Sequence, residues 1–452
     1  MVEELVKIFD EIIIVPCGPR PDKETTNDIL PIHRAVMADL AFGGIPKVAV
    51  DLSDLELAEF TRTWELQEKY QNLGEIWHVI GTDLTDGGNE GKSFIQREWV
   101  RGSEIWEKFN FAVFQRDSYD DMTGFGAYGN PKDFPPHSEV IHFHGTGSSS
   151  NIREKIFKRQ STNDLMHPKV HLYISRYDLY RGVPPRKQTR LVGLRDKVGL
   201  YLNSRPTLAS APLVEKMKTM LGAHLTETDP EIIVTVGGDG TMLHAIRENW
   251  RKRLPFFGIN AGRRGFLMNE LDPEITLWIK LSEELVVEQI PLLYVEYLGA
   301  DEKWRSTLAC NDAWVERSSG QTAWLQIDID GKTRIPRMVS DGALVATAQG
   351  STAYARAMGA SPLLVGTRAL ILVGNNVMEP PIWKMANISL QSNITFINLG
   401  GDKRPIEGFA DGESLGQIKA MKIRTSRIAA AELAFLPHRD MTEKLAELQF
   451  PK

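Results

Sequence analysis

Gly237-Gly238-Asp239-Gly240-Thr241 follows the apolar run Glu231 to Val236 and precedes a helical stretch from Met242 to Trp250. Three glycines between a strand and a helix let the backbone approach a phosphate closely and adopt positive φ. The start of the following helix offers N–H groups and the positive end of its dipole to an anion. An acid in the middle of such a cradle would repel the same ligand. Asp239 is explained if it accepts the proton of an attacking hydroxyl, or helps to hold a divalent metal. The competing reading makes the segment an ordinary tight turn with Asp239 as the helix N-cap.

A second candidate phosphate site is Ser148-Ser149-Ser150-Asn151-Ile152-Arg153, hydroxyls at a helix start with an arginine one turn in. Its plain alternative is a serine N-cap with a solvated arginine. Three other patterns are set aside. Gly124 to Gly129 fits G-x-G-x-x-G but runs into Asn130-Pro131, where no helix can open. His438-Arg439-Asp440 is similar to the protein-kinase catalytic loop, but no Asp-Phe-Gly follows. His142 and His144 face one side of a strand without further ligand candidates.

The elements that must position these residues alternate. Apolar runs Ile12 to Val15, Ile76 to Ile80, Phe111 to Phe114 and Val140 to Phe143 are separated by helical stretches such as His33 to Phe42 and Thr63 to Gln71. This predicts an α/β fold beginning with a Rossmann-like, doubly wound parallel sheet over residues 1–182. Gly182-Val-Pro-Pro-Arg-Lys-Gln opens a linker over residues 183–195. Strands at Val198 to Leu202 and Ile232 to Val236, with the helix Pro212 to Leu221 between them, predict a second α/β lobe over 196–287. From Glu288 the pattern turns to strands without long helices. Ala323 to Ile329, Asp330-Gly331 and Lys332 to Ile335 read as a hairpin. Further strands are predicted at Ala343 to Ala346, Leu370 to Val373, Ile394 to Ile397 and Met421 to Ile423, giving a β-rich lobe over 288–452.

Composition excludes several classes. With 452 residues and a formal net charge of −6, the chain holds two or three domains and lacks a basic footprint for nucleic acid. Cys17 and Cys310 are too few for a disulfide framework or a thiolate metal site. No run approaches eighteen apolar residues and the N-terminus has no apolar signal core, so neither a membrane nor secretion is expected, and the expected location is the cytoplasm.

Read in order, Gly237 to Thr241, Phe257 to Leu267 (Phe-Gly-Ile-Asn-Ala-Gly-Arg-Arg-Gly-Phe-Leu), Asn311-Asp312, Ser340 to Thr347 (Ser-Asp-Gly-Ala-Leu-Val-Ala-Thr), Gly350-Ser351-Thr352-Ala353-Tyr354 and Phe409-Ala410-Asp411-Gly412 resemble the motifs of NAD kinases over roughly Val198 to Leu436. The first motif alone is shared with diacylglycerol-type lipid kinases and, more loosely, phosphofructokinases. The resemblance implies phosphoryl transfer from ATP, with Mg2+ or another divalent metal, to the 2′-hydroxyl of the adenosine ribose of NAD. It places Gly237, Gly238, Gly240 and Thr241 on phosphate and Asp239 in catalysis. It places Asn260, Asn311, Asp312, Asp341, Gly350, Ser351, Thr352 and Tyr354 on NAD. These residue types fit such a ligand, since Asn311, Asp312 and Asp341 can accept from ribose hydroxyls and the adenine amine, and Tyr354 offers a ring to a planar base. This sequence departs from the family at Val339, where a basic residue is usual (Arg337 stands two positions earlier), and at Ala348-Gln349, where Pro-Thr is usual. No residue is singled out as a metal ligand, and a homo-oligomer is expected. The residues leave open ATP or polyphosphate as donor and NAD or NADH as acceptor. A lipid-kinase-like enzyme and a non-catalytic NAD(P)-binding regulator are the other readings. The Gly350 to Tyr354 segment and the lack of an apolar membrane face speak against the first, and the intact Asp239 against the second.

Residues 1 to 180 resemble nicotinate/nicotinamide-mononucleotide adenylyltransferases. The resemblance rests on Phe9 to Pro16, Pro21-Asp22-Lys23, Ile80-Gly81-Thr82-Asp83, Phe111 to Asp117, and Ser148 to Arg153 as their late Ser-Ser-Thr-x-Ile-Arg signature. It implies a nucleotide site at Gly81, Asp83, Ser149, Ser150 and Arg153. The first strand and the His-x-Gly-His turn of that family are not found among the ten histidines, so this domain is expected to be inactive as given.

Overall fold

In the computed structural model, residues 1–20, 29–116, 130–143, 149–162, 164–186, 188–191, 197–201, 211–262, 265–270, 283–437 and 441–450 are described. Pro21 to Lys23, Asp117, Gly124 to Gly129, His144, Ser148, Arg263, Arg264 and His438 to Asp440 lie outside them. The chain forms two compact units, Met1–Pro184 and Pro185–Lys452.

Among the described residues the first unit holds five strands, β1 (Ile12–Ile14), β2 (Val48–Val50), β3 (Trp77–Gly81), β4 (Asn110–Arg116) and β5 (Ser138–Phe143). All pairings are parallel, as expected of alternating strands and helices, but they make two sheets: β1-β2 and β3-β4-β5. The single doubly wound sheet predicted from the alternation is therefore divided. Side-chain packing joins its parts, with Ile12 of β1 sharing a buried cluster with Phe114 and Ile141. Around the sheets lie helices α1 (Val2–Ile8), α2 (Pro31–Phe42), α3 (Ser149–Phe157) and α4 (Pro168–Tyr177). Both α2 and α4 begin with proline, whose fixed φ suits the first helical position.

The second unit contains β6 (Gln188–Leu191), β7 (Val198–Tyr201), β8 (Ile232–Gly237), β9 (Pro255–Asn260), β10 (Leu285–Gly299), β11 (Trp304–Ala309), β12 (Asp312–Arg317), β13 (Ala323–Ile329), β14 (Lys332–Ser340), β15 (Gly342–Ala346), β16 (Ala369–Asn375), β17 (Met385–Ser389), β18 (Ile394–Asn398), β19 (Ile406–Ala410) and β20 (Glu413–Phe435). β8 is buried along its whole length, the pattern of a central parallel strand covered on both faces. Its alternation decides which helix sees which residue. Ile232, Val234 and Val236 pack with Val214, Met217 and Leu221 of helix α5 (Ala211–Leu221). Ile233 packs with Met242, Ala245 and Ile246 of helix α6 (Asp239–Asn249) on the other face. At about 1.5–3 kcal/mol for each fully buried aliphatic side chain, this sandwich fixes where β8 ends and α6 begins.

The predicted boundary between lobes at 287/288 cuts through β10, which is continuous from Leu285 to Gly299. The C-terminal end of β20 also returns to the α/β lobe, pairing in parallel with β9 at Glu432–Ala434 and antiparallel with β10. The register of β10 with β20 shifts between Pro291 and Leu293 and again between Leu298 and Gly299, irregularities of the β-bulge kind. The predicted linker differs as well: residues 188–191 form β6, antiparallel to the start of β10. The Asp330-Gly331 hairpin is present, with positive φ at both residues. Among the described residues no helix is long and apolar enough to cross a membrane.

Candidate active site

Helix α6 begins at Asp239, three residues before the predicted start, because extended Gly238 (φ −114°, ψ −173°) is its N-cap. Asp239, Gly240 and Thr241 thus form the first helical turn, where the positive end of the dipole lies. The glycines differ in what the fold asks of them. A Cβ on Gly237 would stand 2.4 Å from Thr241 Oγ1, so the strand-to-helix turn itself excludes a side chain there. Among the described residues nothing lies within 4 Å of where Gly238 and Gly240 would place a Cβ.

Asp239 is not the N-cap. Its carboxylate reaches across to accept the N–H groups of Phe266 and Leu267, each at 2.9 Å. The glycine turn is thereby tied to the segment that follows β9. Asn260, at the end of β9, is committed in the same loop: its amide donates to Glu270 and its oxygen accepts from Gly262 N–H. Lys444, on helix α8 (Met441–Gln449), donates to Glu270 at 2.9 Å and to the carbonyl of Gly265 at 3.0 Å.

A second wall is built around the turn between β11 and β12. Thr347 donates its N–H to the Asn311 carbonyl and its hydroxyl to the Cys310 carbonyl. Gln349 is buried and donates to the carbonyls of Cys310 (2.9 Å) and Pro291 (3.0 Å). Gly350 lies against the backbone of Asn311. Ser351 is fully buried, donating to the Ala348 carbonyl and accepting from Leu363 N–H, so its hydroxyl closes its own turn. Thr352 ends that short 3-10 segment, and helix α7 (Tyr354–Ala357) follows. Tyr354 packs edge-on against Trp314, which stacks on Phe409 at 4.9 Å between centroids. Trp314 is not singled out in the sequence, and Phe409 only as part of the Phe409 to Gly412 motif, because each stands in a strand pattern that needs only an apolar residue.

Asn311 is buried, and its side-chain oxygen has no hydrogen-bond partner among the described residues. Asp312 is also buried, and its pKa is pushed up to about 8, first by burial and then by the charge of Asp411. Burial raises Asp411 too, but the N–H groups of Cys310, Asn311 and Asp312 and the nearby Arg247 oppose the shift. Asp312 therefore keeps its proton near neutrality.

Asp341 does not join this cluster. β12 and β15 are antiparallel, with Asp312 opposite Ala346 and Glu316 opposite Gly342. Asp341 therefore sits opposite Arg317 at the far end of β12, about 16 Å along the strand from Asp312 at roughly 3.3 Å per residue. There it accepts from Arg317 Nε at 2.6 Å and Asn376 at 2.7 Å. Arg317 thus supplies the positive charge beside Asp341, while Arg337 pairs with Glu379.

In the first unit, Gly81 ends β3 and Asp83 lies in the 3-10 turn Thr82–Leu84. Ser149 and Ser150 open α3 after β5, and Arg153 stands one turn in, 3.5 Å from Ser150 Oγ. These residues sit at the carboxyl ends of β3 and β5, on the two sides of β4, the edge where open parallel sheets bind ligands.

Residues 205–277 match the family model described as the ATP-NAD kinase N-terminal domain. The chain is 33% identical over 245 residues to an NAD kinase of Cereibacter sphaeroides, covering 54% of this chain and 96% of the relative. It is 32% identical over 243 residues to an NAD kinase of Caulobacter vibrioides, covering 53% and 92%. Among solved structures, yeast NADH kinase complexed with NADH aligns with a TM-score of 0.48 and 19% identity, covering 57% of this chain and 89% of that one. With a relative matched over nearly its whole length at this identity, and the glycine turn inside the matched segment, the chain belongs to the NAD kinase family.

Proposed function

We propose that the second unit transfers the terminal phosphoryl group of ATP to the 2′-hydroxyl of the adenosine ribose of NAD, giving NADP. The observation that carries this reading is Gly240. It stands inside the first turn of α6 with no neighbour among the described residues within reach of a Cβ, so neither its backbone nor their packing requires glycine there. Glycine inside a helix is about 1 kcal/mol less favourable than alanine. Its presence is explained by a ligand that must approach the backbone, and the anion-attracting start of a helix fits a polyphosphate.

Catalysis would rest on positioning and charge neutralisation. The first turn of α6 receives the phosphates. Asn311 and Asp312 accept from the nucleoside of NAD, and the ring of Tyr354 borders it. Asp239 is the carboxylate nearest the phosphate cradle, and we assign it to the ribose hydroxyl. To take that proton it must loosen its hold on Phe266 and Leu267. A divalent ion would enter with ATP, held mainly by phosphate oxygens.

The test is formation of NADP from NAD and Mg–ATP by the purified protein, followed by Asp239→Asn. Turnover should fall at least about a hundredfold, the scale of a lost catalytic proton acceptor, while the circular dichroism spectrum is retained. Near-normal turnover in the variant would leave Asp239 as a loop anchor only. NAD binding without turnover in the parent would favour the non-catalytic regulator.

For the first unit we propose triphosphate binding at Ser149, Ser150 and Arg153, to be checked by ATP calorimetry on Arg153→Ala. We also propose a cytoplasmic location and assembly into a homo-oligomer, the latter read from sedimentation equilibrium.

A further inference from the structure

Asp411 and Gly412 form the two-residue turn between β19 and β20, both with positive φ, as Asp-Gly hairpin turns require. The side chain at the first position of such a turn usually faces water. Here it is 3% exposed. Its carboxylate accepts from three consecutive backbone N–H groups, those of Cys310 (2.6 Å), Asn311 (2.7 Å) and Asp312 (3.3 Å). Its own N–H donates to the Asp312 carbonyl at 3.0 Å. Three successive amides converging on one point form an anion-binding concavity, and Asp411 fills it from behind the residues placed on NAD.

Arg247 completes the arrangement. It lies 3.7 Å from the Asp411 carboxylate, donates to the Ala410 carbonyl at 3.4 Å, and pairs with Glu413 at 2.5 Å. It belongs to α6, the helix that starts with Asp239, and stands about 12 Å along it at 1.5 Å per residue. A cavity of about 210 Å³ borders Arg247, Cys310 and Asp411, so hydrogen bonds rather than close packing hold the carboxylate in place.

A buried carboxylate next to a second buried acid is an unfavourable way to make a hairpin turn. The exposed Asp330-Gly331 hairpin shows that the fold can make one without it. We propose that Asp411 is a positioning residue for the nucleoside of NAD: it orients the Asn311–Asp312 turn and, through Arg247, ties it to the helix that carries Asp239. The proposal rests on the placement of Asn311 and Asp312 on NAD given above.

The experiment compares Asp411→Asn, Arg247→Met and the double variant by KM for NAD, KM for ATP, kcat, and the Kd for NAD by calorimetry. An amide offers one acceptor oxygen where the carboxylate offers two. Asp411→Asn should therefore raise KM and Kd for NAD about tenfold or more, while KM for ATP moves less than about twofold. Arg247→Met should shift KM for NAD in the same direction by a smaller factor, and the double variant should be less than additive. If Asp411→Asn does not fold, Arg247→Met at the half-buried end of the pair carries the same comparison. Equal losses for NAD and ATP, or no loss for NAD, would reduce Asp411 to a hairpin residue and overturn the proposal. NAD binding in the parent without turnover would sink the kinase reading while the Kd comparison still decides this one. A parent that binds no NAD overturns both.

Discussion

The backbone of Gly350 lies so close to Asn311 that a Cβ there would stand 2.1 Å from the Asn311 carbonyl oxygen. Gly350 is therefore required by the fold, and it holds the Gly350 to Tyr354 segment against the Asn311–Asp312 turn. Gly238, by contrast, has nothing among the described residues within 4 Å of its missing Cβ. The two glycines should respond oppositely to alanine. Gly350→Ala forces backbone apart and should lower stability by about 1–3 kcal/mol, the usual scale of overpacking, with weaker NAD binding as the turn shifts. Gly238→Ala should leave stability within about 0.5 kcal/mol but weaken ATP, because the methyl group enters the path of the phosphates. Urea unfolding and ATP calorimetry separate the two. Normal ATP binding by Gly238→Ala would remove this turn from the phosphate site.

Asn311→Ala should weaken NAD by about 1–3 kcal/mol, the range for a lost buried hydrogen bond, with little effect on ATP. Asp312 adds a pH signature. Its pKa is pushed up to about 8, chiefly by burial, so near neutrality it is largely protonated. An ionised carboxylate accepts more strongly from ribose hydroxyls, so KM for NAD should fall as pH rises through about 8 and then level off. Asp312→Asn should abolish that step. A KM for NAD that is flat from about pH 6.5 to 9 in the parent would place Asp312 away from the ribose.

Much of the second unit was legible because its signals are local. The buried run Ile232 to Val236, the Asp330-Gly331 turn and the α5 pattern each specify an element without help from elsewhere. The site was legible in part. Gly237 to Thr241 reads in sequence as a candidate phosphate cradle, but the partners of Asp239 lie 27 and 28 residues downstream, and no spacing rule connects them. Asp341 stands in sequence between Asn311 and Tyr354, yet antiparallel pairing of β12 with β15 carries it to the far end of the strand. Asp411 reads as a turn residue in sequence, since only the folded chain shows the three amides that meet it.

Lys444 gives a test of the loop that holds Asp239. Its ammonium bonds to the Gly265 carbonyl and Glu270, next to the amides of Phe266 and Leu267 that Asp239 grips. Lys444→Met keeps most of the aliphatic stem and removes the charge. Stability should fall by about 0.5–1.5 kcal/mol, and kcat should fall several-fold as the loop loosens. Hydrogen exchange at Phe266 and Leu267 should quicken before that of the β8 amides does. Unchanged exchange at these two amides would show that α8 does not brace the site.

The two units should respond to pH with opposite signs. In the first, burial lowers the pKa of both His33 and His78 to about 4. His33 bonds to the Tyr173 hydroxyl at 2.8 Å, and His78 stacks on Phe109. Unfolded histidine takes up its proton near pH 6.5 while the folded rings stay neutral, so the unfolded state binds more protons between about pH 6.5 and 4. Stability of this unit is then lost as pH falls through that window, by up to about 1.4 kcal/mol per pH unit for each histidine. In the second unit Asp312 does the reverse. Its folded carboxyl holds a proton that the unfolded chain releases near pH 4, so this term makes stability decline as pH rises from about 4 to about 8. Hydrogen exchange of Val113, in the middle of β4, and Val234, in the middle of β8, reports each unit separately. Between about pH 6.5 and 4.5 the opening free energy at Val113 should drop, and His33→Gln should flatten part of that drop. The opening free energy at Val234 should hold or rise over the same range, and Asp312→Asn should remove the rise. Parallel declines at both amides in the parent would mean that other groups set the pH response, and the buried histidines and Asp312 would lose their assigned part in it.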